Sequence, residues 1–384
     1  MGRIDKKLGI ALGIVAVVIA VFVIVNVHSP NKLTLWYTND KITAFLNKVA
    51  TEYEASTGVD IECKLITDAM YYEKIYKEGK KGPDIFIGRN SDLEKVFTYD
   101  LSKDISDKTE ILNENNYPKA AIESVGYNEK IWGFPFTFET AVLYYNDKYI
   151  TKVPSSIDEL KEFSSADVVD YDGDNIIEFD VSSLLSTYPF VGDSLTYYDE
   201  ELGLDYENSE FLAALSYYQN MNETFLIDAD KISESVVISD FIGENTAYIL
   251  GSTNYISRLN KGGEDFSYKI SEIPKINDDM DSKPLSVTSA LFINKQSGNV
   301  AKAIDFAEYI SFDKKNEIFE MLGVMPAAYP DKENEDLMAV YEQYNNSRII
   351  SKEVENSEIL SELEIILRRV WSGENISDVI KEYE

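Results

Sequence analysis

Apolar residues recur along the chain at two alternating spacings, typical first of strands and then of helices. Residues 32–40, KLTLWYTND, predict a strand that stops at a polar turn. Residues 41–58 carry apolar side chains three and four positions apart and end in Gly58, which predicts a helix with a glycine C-cap. A strand over 59–66, a helix over 71–82 and a strand over 83–88 follow. This order is typical of a mainly parallel sheet covered by helices.

The same alternation returns in the second half of the chain. The segment 245–259 predicts a strand, a turn and a helix, and 289–296 predicts another strand. Amphipathic spacing predicts further helices at 155–163, 209–221 and 299–311, and two helices in the tail, separated at Ser372–Gly373. The chain has no internal repeat, so an α/β fold is expected throughout.

The N-terminal region contains an uncharged apolar segment, residues 8–27. Twenty residues in a helix span about 30 Å, the thickness of a bilayer core. Arg3, Lys6 and Lys7 precede it, which favours a cytoplasmic N-terminus and an external soluble part. We expect residues 1–30 to be a retained single-pass anchor in the cell membrane. A cleaved signal peptide is the alternative, although its apolar region is normally shorter.

Composition excludes several classes of function. The 384 residues suit two domains or one large one, and 68 acidic against 36 basic residues give a formal charge of −32. Phosphate backbones would be repelled, so no nucleic-acid partner is expected. With only His28 and Cys63, the chain has no base for a serine or cysteine nucleophile and cannot build a histidine-rich zinc site. We expect no cofactor and no metal.

Eight segments, taken in order, resemble the extracellular solute-binding proteins of ABC importers, in the cluster that includes maltose-binding protein. The resemblance covers residues 32–384. The segments are 33–41, 45–62, 82–88, 131–150, 153–160, 242–257, 289–311 and 372–383.

The resemblance implies a two-lobed α/β fold of the periplasmic-binding-protein type II, with a mainly parallel sheet in each lobe. Lobe 1 would comprise residues 31–137 plus 291–325, and lobe 2 residues 140–288 plus 330–384. The chain would cross between them near 137–140, 286–290 and 325–329. Solute would bind in the cleft, and the lobes would close over it by a hinge motion.

The implied function is capture without catalysis. A monomeric, membrane-tethered receptor would bind a small solute, a mono- or short oligosaccharide, and pass it to an ABC permease. Two alternatives stay open: a structural or sensory surface protein of the same fold without a ligand, and a two-carboxylate glycosidase.

The resemblance also implies ligand contacts. Asp40 and Lys41 follow the first predicted strand and match sugar-contacting positions, although Asn39 or Asp40 could instead cap the next helix. Glu139 lies beside the first crossing, where a carboxylate can accept two hydroxyl hydrogen bonds from one sugar. Its alternative role is to pair with a lysine or to cap a backbone N–H.

The chain departs from the family pattern where tryptophans stack on sugar. Gly88 and Thr253 stand at two of these positions and a third falls near Leu360, so long maltodextrins are poorly supported. Tyr188 and Tyr255 are the aromatic candidates in their place, and Asn254 lies in the same segment as Thr253.

Two further features carry charge. Arg89 could clamp the carboxylate of an acidic sugar or form a surface salt bridge. The acidic stretch 170–180 is interpreted as a plain turn between strands, with weak calcium binding as the alternative.

Overall fold

The computed structural model describes residues 31–161, 171–195, 197–199, 203–332, 334–352 and 356–383. The predicted anchor lies outside these residues. Among the helices of the described ranges, none combines the length and the apolar character needed to cross a bilayer.

Fourteen strands are present in the described residues, and ten of them form one sheet. The strands are β1 (Lys32–Tyr37), β2 (Asp60–Leu65), β3 (Ile85–Arg89), β4 (Gly126–Tyr127), β5 (Lys130–Ile131), β6 (Gly133–Tyr145), β7 (Asn175–Glu178), β8 (Tyr197–Asp199), β9 (Gly203–Leu204), β10 (Thr246–Ser252), β11 (Lys269–Ser271), β12 (Leu285–Ile293), β13 (Met325–Pro326) and β14 (Arg348–Ile349).

Fourteen α-helices lie between and beyond these strands in the described ranges. They are α1 (Thr43–Thr57), α2 (Tyr71–Glu78), α3 (Leu93–Thr98), α4 (Lys119–Ser124), α5 (Ile157–Lys161), α6 (Leu184–Thr187), α7 (Ser209–Phe225), α8 (Glu234–Ile242), α9 (Ile256–Leu259), α10 (Val300–Glu308), α11 (Lys315–Leu322), α12 (Glu335–Asn345), α13 (Asn356–Trp371) and α14 (Ile376–Ile380).

Local sequence accounts for the predicted elements. Helix α1 buries one apolar stripe and ends at Gly58, which has a φ of 72° and donates its N–H to the carbonyl of Glu54. Glycine adopts this left-handed conformation without the steric cost that a side chain would impose. The strand, turn and helix predicted over 245–259 are β10, a short 3₁₀ turn and α9. The break predicted at Ser372–Gly373 separates α13 from α14.

The sheet is mixed, so the expectation of a mainly parallel sheet was wrong. The order β2-β1-β3-β12-β6-β10-β7 begins with parallel pairs, but β12 runs antiparallel to β3 and to β6, and β6 runs antiparallel to β10. The first three strands follow local strand–helix–strand connections, which give parallel neighbours. Strands β6 and β12 arrive through longer connections, and their direction cannot be read from local periodicity.

Three apolar clusters fill the molecule. The first joins one face of β1 and β3 to α1, α10 and α12, and it continues to residues of β6 and β10. The third covers the opposite face of β1 and β3 beneath α2. The second lies among residues 141–285 and 363–380, around Phe179, Tyr218 and Trp371. Strand β6 therefore contributes to two clusters along its thirteen residues.

Glu178 on β7 is a buried carboxylate, only 7% exposed. Its Oε1 accepts a hydrogen bond of 2.9 Å from the side-chain amide of Asn175, while its Oε2 has no hydrogen-bond partner among the described residues. Burial, reinforced by the negative charge of Asp240, raises the pKa of Glu178 to about 7. The folded protein therefore holds this proton at pH values where an unfolded chain has lost it.

We expect Glu178→Gln to stabilise the protein above pH 7. The unfolded carboxyl ionises near 4.5 and the folded one near 7, so the stability of the wild type falls as pH rises through this window. The neutral amide removes that loss, with a gain of at most about 3 kcal/mol in unfolding free energy. Urea unfolding between pH 4.5 and 8 measures the difference between the two proteins.

Glu223→Gln, an exposed change on α7, is the matched control and should leave the pH dependence unchanged. An identical pH dependence in wild type and Glu178→Gln would show that Glu178 does not carry this effect.

Candidate functional site

A cavity of about 380 Å³ opens at the carboxyl ends of β1 and β3, against the middle of β6 and β12. This is the edge at which open α/β sheets bind ligands. Its wall combines hydroxyl, amide, carboxylate, guanidinium and aromatic groups. The lining residues are Thr38, Asn39, Ile42, Asp68, Ala69, Tyr71, Tyr72, Ile87, Gly88, Arg89, Asp92, Phe136, Thr137, Ser289 and Val324.

Strand register places four polar side chains on one face, and three of them, Arg89, Thr137 and Ser289, line this cavity. Ser289 of β12 lies opposite Arg89 on one side and Thr137 on the other, and Val287 lies opposite Glu139. Directly opposed residues of antiparallel strands point to the same face, as do residues two apart on one strand. Arg89, Thr137, Glu139 and Ser289 therefore share a face, and all four are exposed or half-buried.

Arg89 ends β3 with its side chain exposed to the cavity. In the described part of the chain no carboxylate lies within the 4.0 Å of its guanidinium that defines an ion pair, whereas Arg258 and Arg369 both form ion pairs. The alternative of a surface salt bridge at Arg89 is therefore not found among these residues.

The two carboxylates of the cavity wall already have partners. Asp68 accepts a hydrogen bond of 3.0 Å from the backbone N–H of Met70 and lies 3.7 Å from the ammonium of Lys74. Asp92 accepts the hydroxyl of Tyr72 at 3.1 Å and pairs with Lys95 at 3.3 Å. Their charges are largely balanced before any ligand arrives.

Tyr71 and Tyr72, the first residues of α2, supply the aromatic surface. Their rings meet edge to face at 5.2 Å, and the hydroxyl of Tyr71 donates to the carbonyl of Trp36 at 2.9 Å. Burial raises the pKa of Tyr72 well above its ordinary value, so its hydroxyl stays protonated and donates to Asp92. A Cβ placed on Gly88 would lie 2.5 Å from this hydroxyl, so Tyr72 occupies the space that a side chain at 88 would need.

We expect Gly88→Ala to lower the unfolding free energy by about 1–3 kcal/mol, the usual cost of overpacking. The new Cβ would lie 2.5 Å from the Tyr72 hydroxyl, so the Tyr72 ring must move, and 3.2 Å from the ring of Phe292. Urea unfolding measures the loss. Gly298→Ala is the control, because a Cβ at Gly298 would have no described atom within 4 Å beyond its own residue and its chain neighbours.

A double-mutant cycle tests the cause of this loss. Tyr72→Phe removes the clashing oxygen, so the two changes together should cost less than their sum. Simple additivity would mean that the Tyr72 hydroxyl does not limit the space at Gly88.

Asp40 and Lys41 lie at the mouth of the cavity, directly after the lining residues Thr38 and Asn39, and both are exposed. Asn39 performs the capping role, since its Oδ1 accepts the backbone N–H of Lys41 at 3.1 Å. The side chains of Asp40 and Lys41 are thus not needed to start the helix, and their predicted ligand contact stays a prediction.

Glu139 is half-buried at the far end of the polar face. Its Oε1 accepts a hydrogen bond of 2.5 Å from the hydroxyl of Ser252, and the same hydroxyl accepts the backbone N–H of Asn254 at 3.0 Å. Asn254 is also half-buried, and its Oδ1 is a buried acceptor with no hydrogen-bond partner among the described residues. Among the described residues no hydrogen bond to the second oxygen of Glu139 is found, so both this oxygen and Oδ1 of Asn254 can accept a further donor.

Tyr188, Thr253 and Tyr255 do not face open space. Their exposed fractions are 0%, 0% and 2%. Tyr188 packs in the second cluster, Tyr255 stacks on Tyr144 at 6.2 Å, and Thr253 Oγ1 accepts the backbone N–H of Thr140 at 3.4 Å. The prediction that these three residues contact ligand is not supported in this conformation, because their side chains are buried and contact other parts of the protein.

Sequence reasoning missed the contribution of the segment after β2. Asp68, Tyr71 and Tyr72 lie there, and all three line the cavity. Ligands bind beyond the carboxyl ends of strands, and this rule holds for the polar residues after β2 as well as for those after β1.

The described part of the chain contains no group of three or more histidine, cysteine or acidic side chains that could hold a metal ion. Asp170 of the acidic stretch lies outside the described residues.

Comparison with known proteins identifies the family. A model of the family described as bacterial extracellular solute-binding protein matches residues 48–345, more than three quarters of the chain. The chain belongs to this family. The resemblance found in the sequence is confirmed. The molecule is a solute-binding protein of the bacterial extracellular family.

The solute-binding protein is also similar to individual relatives. A galactooligosaccharide-binding protein of Bacillus subtilis (strain 168) is 23% identical over 303 residues, which cover 75% of this chain and 70% of the relative. A cyclo/maltodextrin-binding protein complexed with maltotetraose superimposes with a TM-score of 0.74 at 18% identity, over 92% of this chain and 97% of the other. A Staphylococcus aureus extracellular solute-binding protein in complex with maltose gives 0.76 at 19%, over 92% and 96%. These two likenesses show that the α/β fold is shared.

Proposed function

We propose that this solute-binding protein captures a saccharide in the cavity at the carboxyl ends of β1 and β3 and delivers it unchanged to an ABC permease. The observation that carries the proposal is the polar face of the exposed Arg89 and the half-buried Thr137, Glu139 and Ser289, fixed by strand register. Sugars present many hydroxyl groups, and a rigid row of donors and acceptors matches them at little cost in conformational entropy.

The size and chemistry of the cavity agree with a small saccharide. Its volume of about 380 Å³ lies within the usual range for small-molecule sites. Tyr71 and Tyr72 provide an apolar surface for the C–H faces of a sugar ring beside the polar floor. The relative from Bacillus subtilis is named for a galactooligosaccharide, and both solved structures hold maltose-type sugars.

Closure of two lobes would complete the site. The proposed division is 31–137 plus 291–325 for lobe 1 and 140–288 plus 330–384 for lobe 2, with β6 and β12 running between them. No described residue from 140–288 lines the cavity, which is the arrangement expected of an open cleft. A hinge motion would then bring groups such as Asn254 towards a ligand bound on lobe 1.

The remaining parts of the proposal concern location and partners. Residues 8–27 would anchor the protein as a single-pass helix and hold the binding domain, as a monomer, outside the membrane. The family supports an external soluble part. Chemistry on the solute is not part of the proposal, because capture needs only the affinity difference between open and closed forms.

Isothermal titration calorimetry with a panel of neutral and acidic mono- and oligosaccharides tests the proposal. We expect at least one member to bind with 1:1 stoichiometry and without release of new reducing ends over hours of incubation. No heat with any member would favour a protein of this fold that has no ligand. Continued release of reducing ends would show a glycosidase instead.

A further inference from the structure

We infer that the preferred ligand is an acidic saccharide, whose ring carboxylate is bound by the guanidinium of Arg89. This inference rests on the proposed function and narrows its substrate class. It follows from the balance of charge at the cavity and from the position of Arg89.

The carboxylates of the cavity wall are neutralised, whereas its arginine is not. The wall and its immediate ion-pair partners contribute three cations, Lys74, Arg89 and Lys95, against two carboxylates, Asp68 and Asp92. Each carboxylate has its own lysine, and Arg89 has no carboxylate partner among the described residues. In a protein with a formal charge of −32, a local excess of positive charge beside a cavity marks a place for an anion.

Distant acidic residues do not cancel this local charge. Exposed charges are screened over about 8 Å at physiological ionic strength, so the many acids elsewhere on the surface contribute little at the cavity. A group in direct contact with Arg89 would be attracted at short range, where screening is weak.

The geometry of Arg89 suits a carboxylate held next to a sugar ring. Its guanidinium is a planar fork of N–H donors that binds a carboxylate through two parallel hydrogen bonds. Arg89 is separated from Thr137 by one strand, with Ser289 between them, so three donors lie side by side on one face. Glu139, two residues beyond Thr137, can accept hydrogen bonds from ring hydroxyl groups of the same saccharide.

Glu139 also sets the orientation of the ligand. An acidic saccharide placed with its carboxylate near Glu139 would bring two negative charges together, which is unfavourable. The favourable orientation puts the carboxylate of one ring on Arg89 and ring hydroxyl groups on Glu139. The polar face therefore has one cationic end and one anionic end.

Matched disaccharides test the inference. Digalacturonate and galactobiose differ in carrying a carboxylate or a hydroxymethyl group on each ring, and calorimetry on the full chain compares them. We expect digalacturonate to bind on the order of 10- to 100-fold more tightly, the contribution of a charged hydrogen-bonded pair. Arg89→Gln should reduce the affinity for digalacturonate by that factor and leave galactobiose nearly unchanged. Arg368→Gln, an exposed arginine on α13, should change neither.

Three outcomes would overturn the inference. One is equal or tighter binding of galactobiose by the wild type, which would leave a neutral-sugar function intact. Another is the same preference for digalacturonate in Arg89→Gln, with the unfolding midpoint unchanged. The last is no binding of either disaccharide at millimolar concentration. In that case the neutral members of the calorimetric panel decide separately whether the proposed function survives.

Discussion

Replacing Tyr344 with alanine is expected to cause the largest loss of stability, about 3–5 kcal/mol of unfolding free energy. Tyr344 is fully buried, and its ring stacks on Phe138 of β6 with centroids 4.0 Å apart and planes 6° from parallel. Its hydroxyl shares a hydrogen bond of 2.5 Å with Oγ1 of Thr288 on β12. The substitution thus opens a cavity directly behind the two strands that carry the polar face.

The neighbourhood of Tyr344 gives the change a second effect. On the same helix, α12, the hydroxyl of Tyr341 lies 2.9 Å from the carbonyl of Pro326 and 2.8 Å from that of Ala328. Helix α12 therefore contacts β6, β12 and the segment after β13, the three places where the chain is predicted to cross between lobes. We expect Tyr344→Ala to weaken saccharide binding as well, because the strands at the cavity floor lose their support.

Tyr344→Phe separates the ring from the hydroxyl. It keeps the stack on Phe138 and should cost about 1 kcal/mol, the net value of one hydrogen bond. Tyr76→Ala, at a tyrosine that is 54% exposed on α2, is the matched surface control and should cost far less. Urea unfolding compares the three variants. A loss below about 1 kcal/mol for Tyr344→Ala would contradict the packing described behind β6 and β12.

Replacing Glu139 with alanine is expected to raise the dissociation constant of the bound saccharide about 10- to 100-fold. One carboxylate oxygen is held by Ser252 and the other is available to accept ligand hydroxyl groups. A hydrogen bond to a charged group is worth more than a neutral one, so losing this carboxylate should cost more than losing a neutral hydroxyl of the same face. Calorimetry with the best ligand of the saccharide panel measures the change.

Two variants control this experiment. Glu139→Gln keeps the shape but removes the charge, so it should fall between the wild type and alanine. Glu223→Ala, on the exposed face of α7, should bind like the wild type. An unchanged affinity in Glu139→Ala would remove Glu139 from the site, while the cavity around Tyr72 and Arg89 would remain.

Local periodicity predicted several of the helices and strands but not the direction of every strand. Helix α1 and its Gly58 cap follow from residues near each other in sequence, so they could be read directly. The antiparallel placement of β6 and β12 depends on connections of many residues, which no local pattern encodes. Helix α12 was missed although Asn334 caps it, because two of its four buried residues are tyrosines and one is a glutamine.

The site was predictable in outline and less so in detail. The strand-end rule and the resemblance placed Arg89 and the segment of Asp40 at the cavity. Tyr188 and Tyr255 are buried in this structure, because a tyrosine suits a core as well as a binding surface and only tertiary packing decides between them. Tyr72 comes from another part of the chain and fills the space beside Gly88. Comparing this sequence with the family pattern one position at a time cannot show that.

Small-angle X-ray scattering with and without a saccharide that calorimetry has shown to bind is the most direct test of the central claim. The claim is that ligand is held between two hinged lobes that close over it. We predict a smaller radius of gyration at saturating ligand, reversed when the ligand is dialysed away. An unchanged radius of gyration with the ligand demonstrably bound would contradict closure and place the ligand on a surface that no hinge motion covers.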